Sequence, residues 1–315
     1  MKNKLYFAPL EGITGYVYRN AHKKYFGNID KYFLPFLVTN QTGKLKSKER
    51  NDILPEKNQG ITAIPQILSN NARQTVQMAK FLEQYGYKEI NLNLGCPART
   101  VVTKKKGAGL LAYPEELDQF LEEVYDGIKI RCSIKTRIGL ENPEEFERLL
   151  QIYNQYPVAE LIIHPRVQAD FYKNQPNLDV FELAVKESKN PLCYNGDVNS
   201  IEDLERLKRR FPNVNCIMLG RGLLRNPGLA DLIQDGKQCE KQRLKAFHDE
   251  LCQGYEKIMS GDRNVLFKMK EVWFYLGQIF EDSEKYVKAI RKADRLSEYQ
   301  NVVERLFTER DIKQS

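Results

Sequence analysis

The chain predicts an α/β protein: a closed barrel of eight strand–helix units followed by a small all-helical C-terminal domain. Three observations lead there. Short apolar, β-branched runs begin roughly every 25–40 residues through the first 220 positions, the spacing of successive strand–helix units. Amphipathic stretches lie between them. From about residue 237 the strand-like runs stop and only helical patterning continues.

The first run, LYFAPL (5–10), ends at Pro9, Leu10, Glu11 and Gly12, and the second, KYFLPFL (31–37), leads to Thr39–Asn40. ITAIPQIL (61–68) carries Gln66, EINLNLG (89–95) runs into Cys96, and CSIKTRIG (132–139) carries Lys135. AELIIHP (159–165) closes on His164, PLCYNGD (191–197) on Asn195, Gly196 and Asp197, and VNCIMLGRG (214–222) on Gly220 and Arg221. The intervening helices are expected over 72–86, 114–128, 143–156 and 200–211, with Asn71 as a cap, Pro114 and Pro143 in first turns, and Ser200 paired with Asp203. An open doubly wound sheet would place G-x-G-x-x-G after an early strand, and APLEGITG does not match it. The pattern is that of a (β/α)8 TIM barrel over 1–236, with a helical domain of three or four helices over 237–315.

Bulk properties narrow the class. A 42% hydrophobic fraction supplies a sizeable core, and 29% charged residues give an ordinary solvated surface. MKNKLYFAPLEG does not read as a signal peptide, and no apolar stretch reaches the ~18 residues of a membrane span. A cytoplasmic monomer that touches no membrane is expected. The six cysteines form no C-x-x-C pair and match no zinc spacing, so no metal site is expected. Net charge of +7 suits a polyanionic partner, with basic clusters at 44–50, 103–107 and 207–210. The region 241–315 holds 15 Lys/Arg against 13 Asp/Glu, so barrel cations such as Lys104, Lys105 and Lys106 are expected to share any contact with a polyanion.

The chemistry-bearing residues gather at the C-terminal ends of the strands, where barrel enzymes keep their sites. Gly220-Arg221-Gly222 between strand and helix reads as an anion cradle, with Asn195-Gly196-Asp197 on the neighbouring strand. Lys135 is a cation inside an apolar strand, and His164 and Gln66 offer hydrogen bonds to a polar ring. A phosphate cradle beside a lysine, a histidine and a glutamine suits a flavin. Cys96, held extended by Pro97, opens a glycine-containing basic loop expected to be mobile. Its thiol can give a proton or attack as a thiolate; with no base assigned to it, the acid role is simpler.

In order, APLEGIT, PQI, NLNLGCP, IKTRIG, IIHPR, NGD and GRG resemble the tRNA-dihydrouridine synthase family across 5–235, with a looser likeness over the tail. That resemblance implies an FMN-dependent reduction of the uridine C5=C6 bond in tRNA, with NADPH as electron donor and Cys96 protonating C5. It implies FMN contacts from Gln66, Lys135, His164, Asn195, Gly196, Asp197, Gly220 and Arg221, with the Pro9–Gly12 backbone beside the ring. Asn93 would hold the uracil, and Arg166, Lys104, Lys105 and Lys106 the RNA. Ribosomal RNA, or a small pyrimidine as in dihydroorotate-type flavin enzymes, are the competing substrates; the helical domain argues against the latter. The chain departs from the family at His164-Pro165-Arg166, where many members have His-Gly-Arg, and at Val167-Gln168-Ala169-Asp170, where a Thr-Arg is usual.

Overall fold

A computed structural model describes residues 2–313. Its sheet contains ten parallel strand segments. They are β1 Lys4–Phe7, β2 Lys31–Phe33, β3 Leu37–Val38, β4 Ala63–Ile64, β5 Gln66–Leu68, β6 Glu89–Leu94, β7 Arg131–Arg137, β8 Leu161–His164, β9 Leu192–Tyr194 and β10 Cys216–Leu219. The order around the sheet is β3-β5-β6-β7-β8-β9-β10-β1-β2-β4.

Eight sequence runs became ten segments for a simple reason. Proline has no N–H to donate to a ladder. Pro35 separates β2 from β3, and Pro65 alone separates β4 from β5. Because β4 pairs with β2 while β5 pairs with β3 and β6, the single residue Pro65 joins the two ends of the ribbon and closes the barrel. Eight strands, two of them broken at prolines, form the (β/α)8 architecture that the spacing predicts.

The chain separates into two compact units: residues 2–9, 30–197 and 207–218 in the first, and 10–29, 198–206 and 219–313 in the second. Compactness therefore does not follow a linear boundary at 236/237, since two short segments and the stretch 219–236 pack with the C-terminal helices.

In the first unit the barrel interior is filled by Tyr6, Ala8, Phe33, Ile64, Ile162, Cys193, Cys216 and Met218. Below it Lys31 Nζ bonds Glu89 (2.9 Å) and Glu160 (3.0 Å), and Tyr6 Oη donates to Glu160 Oε1 at 2.7 Å. Burial works against the Lys31 charge, but the two carboxylates outweigh it and hold its pKa above the ordinary lysine value. The helices Ala72–Gln84, Pro114–Gly127, Glu145–Tyr153 and Leu178–Glu187 pack in succession around this unit. Asn71 caps the first, its side chain accepting from Gln74 N, and Pro114 opens the second. The third starts at Glu145, later than Pro143 suggests. The Glu145 carboxylate collects the N–H groups of Leu140, Glu141 and Asn142, which holds the preceding residues in a turn.

The second unit contains the four tail helices, Lys241–Ile258, Asp262–Leu276, Glu284–Lys292 and Leu296–Glu309. Trp273, fully buried, donates to Tyr299 Oη at 2.7 Å, and Tyr299 Oη meets His248 Nε2. The helix Tyr16–Tyr25 crosses Lys241–Ile258 closely at Gly254, where a Cβ would lie 2.7 Å from Val17. No helix among the described residues is long and apolar enough to cross a membrane, and no His/Cys/Asp/Glu cluster among them could hold a metal ion.

Candidate active site at the strand ends

Every side chain of β6 is buried. Parallel pairing sets Gln66 beside Asn91 and Asn93 beside Lys135. The amides then connect in series: Asn93 Nδ2 donates to Gln66 Oε1 (2.7 Å), Gln66 Nε2 to Asn91 Oδ1 (2.8 Å), and Asn91 Nδ2 to Ser133 Oγ (3.0 Å). Asn93 Oδ1 in turn accepts the backbone N–H groups of Gly95 (3.1 Å) and Cys96 (2.9 Å). What Asn93 holds in the structure is the backbone of Cys96. One of its amide hydrogens remains for another partner.

Cys96 itself is half-buried, whereas Cys132, Cys193, Cys216, Cys239 and Cys252 are buried. The basic loop after it, expected to be mobile, takes regular form: a short helix Arg99–Val102, then a 3-10 helix Gly107–Ala112 with Gly107–Leu111 buried. The Cys96 carbonyl accepts from Ala108 N at 3.1 Å. Gly107 is required there, with φ +55° and a hypothetical Cβ 2.9 Å from that carbonyl oxygen. Of the three loop lysines, Lys105 is engaged by Glu116 (2.7 Å) and lies over the Tyr113 ring. Lys106 is half-buried, with its pKa pushed down by burial and by Lys104, which is exposed.

The Lys135 side chain makes no hydrogen bond or ion pair with a described residue. Burial, with Arg137 adding to it, pushes its pKa down to about 8, while Cys193 and Cys96 pull the other way. Arg137, two residues on, is a buried clamp. Its Nε donates to the Gly95 carbonyl (3.1 Å), Nη1 to Val167 O (2.8 Å) and Nη2 to Phe171 O (2.7 Å). A second tie runs from Gln168 Nε2 to Pro97 O at 2.9 Å. The loop after β8 thereby grips both residues flanking Cys96.

His164 ends β8 and is buried. Arg166, expected to face RNA, is only 1% exposed. Its Nη1 and Nη2 bond both oxygens of Asp197, at 3.1 and 2.5 Å, and its Nε donates to Asn174 O at 2.6 Å. Nη1 also lies 2.9 Å from His164 Nε2. A guanidinium has only hydrogens to give, so His164 Nε2 accepts and any ring proton of the neutral imidazole sits on Nδ1. Arg166 therefore orients His164 and neutralises Asp197. Asn195 donates to Met218 O at 2.8 Å, and Gly196 leaves no room for a side chain, its hypothetical Cβ falling 2.0 Å from Tyr194 Oη.

Pro9 follows β1 in the first unit, while Leu10, Glu11 and Gly12 belong to the second. There Leu10 N donates to Thr14 Oγ1 (2.8 Å), and Lys268 Nζ from the tail helix Asp262–Leu276 donates to the Gly12 carbonyl (2.9 Å). Gly220 and Arg221 also lie in the second unit, at the start of the five-residue helix Arg221–Arg225. The residues that strand-end reasoning passed over are Asn91, Ser133, Arg137, Gln168 and Tyr172. Arg137 had a signal: a second cation at i+2 from Lys135 on one face of an apolar strand. Gln168 stood out only within a stretch that departs from the family pattern, and its partner Pro97 is remote in sequence.

A closed (β/α)8 barrel with a thiol, amides and cations assembled at the C-terminal ends of its strands has the design of a barrel enzyme. A family model described as Dihydrouridine synthase (Dus) matches residues 6–313. The chain belongs to the dihydrouridine synthase family. It is 25% identical to a tRNA-dihydrouridine synthase B of Shewanella oneidensis over 318 residues, covering 98% of this chain and 97% of that one. It is 28% identical to a tRNA-dihydrouridine(16) synthase of Vibrio vulnificus, covering 85% and 81%. Among solved structures, morphinone reductase shares the fold at a TM-score of 0.52 and 13% identity, over 76% of this chain and 90% of the other.

Proposed function

We propose that this protein reduces the C5=C6 bond of uridine in tRNA to 5,6-dihydrouridine, with FMN as cofactor and NADPH as electron donor. The observation that carries the reading is the setting of Cys96: a half-buried thiol at the end of β6, its backbone held by Asn93, on the strand beside Lys135. Uridine gains a hydride at C6 and a proton at C5, while NADPH and one proton become NADP⁺. When bound and reduced by NADPH, FMN would supply the hydride. Cys96 supplies the proton to C5 from its Sγ–H.

The donor set of the first unit fits such a cofactor. Lys135 is a half-buried ammonium with no anionic partner among the described residues, and it offers positive charge to an electron-rich ring. Gln66 keeps one amide hydrogen beyond its bond to Asn91. Asn93 keeps one as well, which supports its contact with the uracil. Arg166 acts through His164 and Asp197. The helical region 237–315 and the exposed Lys104 are assigned to the RNA.

Purified protein should be yellow and release FMN on denaturation; colourless protein that flavin cannot reconstitute overturns the cofactor. Cys96→Ala should keep the flavin and lose dihydrouridine formation, and full turnover by that variant removes Cys96 from the chemistry. Mapping dihydrouridine in tRNA and ribosomal RNA from cells lacking the gene decides the RNA class.

A further inference from the structure

Phe171 stands where a side chain is unexpected on two counts. It is 43% exposed, and its ring makes no aromatic contact with a described residue. Its backbone lies at φ +51°, ψ −93°, and Lys173 N donates to Asp170 O at 2.9 Å. These features put Phe171 at the second position of a turn of the II′ kind, which favours glycine. A flexible surface loop would have no reason to keep a phenylalanine there.

This turn is not flexible in its connections. The Phe171 carbonyl accepts from Arg137 Nη2, and the same guanidinium holds the Gly95 carbonyl, while Gln168 of the same loop holds Pro97. Next in the chain, Tyr172 lies against His164 with ring centroids 5.9 Å apart, and Arg137 sits 5.3 Å from the Tyr172 ring centre. The backbone that carries the exposed phenyl ring is thus tied through Arg137 to Gly95, and its loop through Gln168 to Pro97, the two neighbours of Cys96. Rigid, strained presentation of an exposed group beside a reactive one is the pattern of a functional device.

We propose that Phe171 is a wedge: its ring stacks on the RNA base beside the target uridine, filling the place that the uridine leaves when it swings toward Cys96. The inference rests on the reading of uridine in RNA as substrate. An enzyme acting on a stacked base must take it out of the stack, and an apolar or aromatic side chain inserted at the gap offsets that cost. A surface for docking another protein would not need to be anchored to the two residues around the thiol.

The test compares Phe171→Ala and Phe171→Trp with the parent, all flavin-loaded, on tRNA from cells lacking the gene. Phe171→Ala should form dihydrouridine about 10- to 100-fold more slowly, the size of one lost aromatic–base stack. Its flavin content and its NADPH-driven flavin reduction in the absence of RNA should be unchanged, and Phe171→Trp should stay within about three-fold of the parent. In a second readout, RNA carrying 2-aminopurine beside the target uridine should change fluorescence on binding the parent and Phe171→Trp, but not Phe171→Ala. An alanine variant as fast as the parent overturns the wedge. So do equal losses in both variants, or a loss of NADPH-driven flavin reduction, since either assigns Phe171 to loop geometry. A parent that makes no dihydrouridine in any RNA overturns the function reading instead.

Discussion

Lys135 offers a direct thermodynamic test of the proposed site. In the folded chain its pKa is pushed down to about 8 from 10.5, chiefly by burial. Below pH 8 both folded and unfolded chains carry the proton, and the folded chain bears the full cost of a poorly solvated ammonium. Each pKa unit corresponds to about 1.4 kcal/mol, so that cost is about 3.5 kcal/mol before discounting for the partial exposure of the side chain, and about 2 kcal/mol after it. Between pH 8 and 10.5 the unfolded chain binds more protons than the folded one, so stability rises with pH and the cost fades. Replacing Lys135 with methionine keeps the length and removes the charge. Lys135→Met should therefore stabilise flavin-free protein by about 2 kcal/mol at pH 7, with the advantage shrinking through pH 9 and vanishing near pH 10.5.

Urea unfolding followed by far-ultraviolet circular dichroism at a series of pH values measures this, with variant and parent compared at each pH so that other titrations cancel. An anion bound over the lysine would compensate its charge, so added FMN should narrow or reverse the difference. If Lys135→Met is less stable than the parent at pH 7, or if the gap does not change with pH, then the ammonium is well solvated and the argument from burial fails. A residue that costs stability and is kept is a mark of a working site.

Further outcomes follow from the same geometry. Asp197→Ala leaves the buried Arg166 guanidinium without its carboxylate and should cost about 3–5 kcal/mol of stability; Arg166→Met in the same chain should recover part of the loss, and no recovery in thermal melts would count against the pair. Gly196→Ala should destabilise by roughly 1–3 kcal/mol through overpacking. Tyr194→Phe should not rescue it, because the ring carbon Cζ would still stand 2.3 Å from the new Cβ.

The barrel was legible because each strand announces itself locally: a short apolar run, rich in β-branched or aromatic residues, ended by a polar residue or glycine. Even the breaks at Pro35 and Pro65 are visible in the letters, although only pairing shows that Pro65 closes the ribbon. The start at Glu145 rather than near Pro143 was not legible, because it depends on one carboxylate capping three N–H groups. Lys135, His164 and Gln66 stood out as polar residue types in apolar strands, and Cys96 as a thiol just past one. Arg166 was legible as a cation just past its strand, but its bond to Asp197, 31 positions away, was not. The same limit hid Gln168, whose bond to Pro97 spans 71 positions.

The amide series beside Cys96 has a direction, and one hydroxyl sets it. Ser133 Oγ donates its single hydrogen to Ile90 O at 3.1 Å, so toward Asn91 it can only accept. Asn91 must then present Nδ2 to Ser133 and Oδ1 to Gln66. Gln66 must present Nε2 to Asn91 and Oε1 to Asn93, and Asn93, having given Nδ2 to Gln66, is left with Oδ1 for the N–H groups of Gly95 and Cys96. Reversing any one amide would set two donors or two acceptors face to face in a buried site, which costs more than the bond gains. The loop is thus fixed on one side by a head-to-tail line of amides reaching across β5, β6 and β7, and on the other by Arg137 and Gln168. In the proposed reaction, a thiol that must meet one ring carbon needs its backbone held before substrate arrives. Asn93 meets that need with its oxygen, and its remaining N–H leaves it able to serve the base as well.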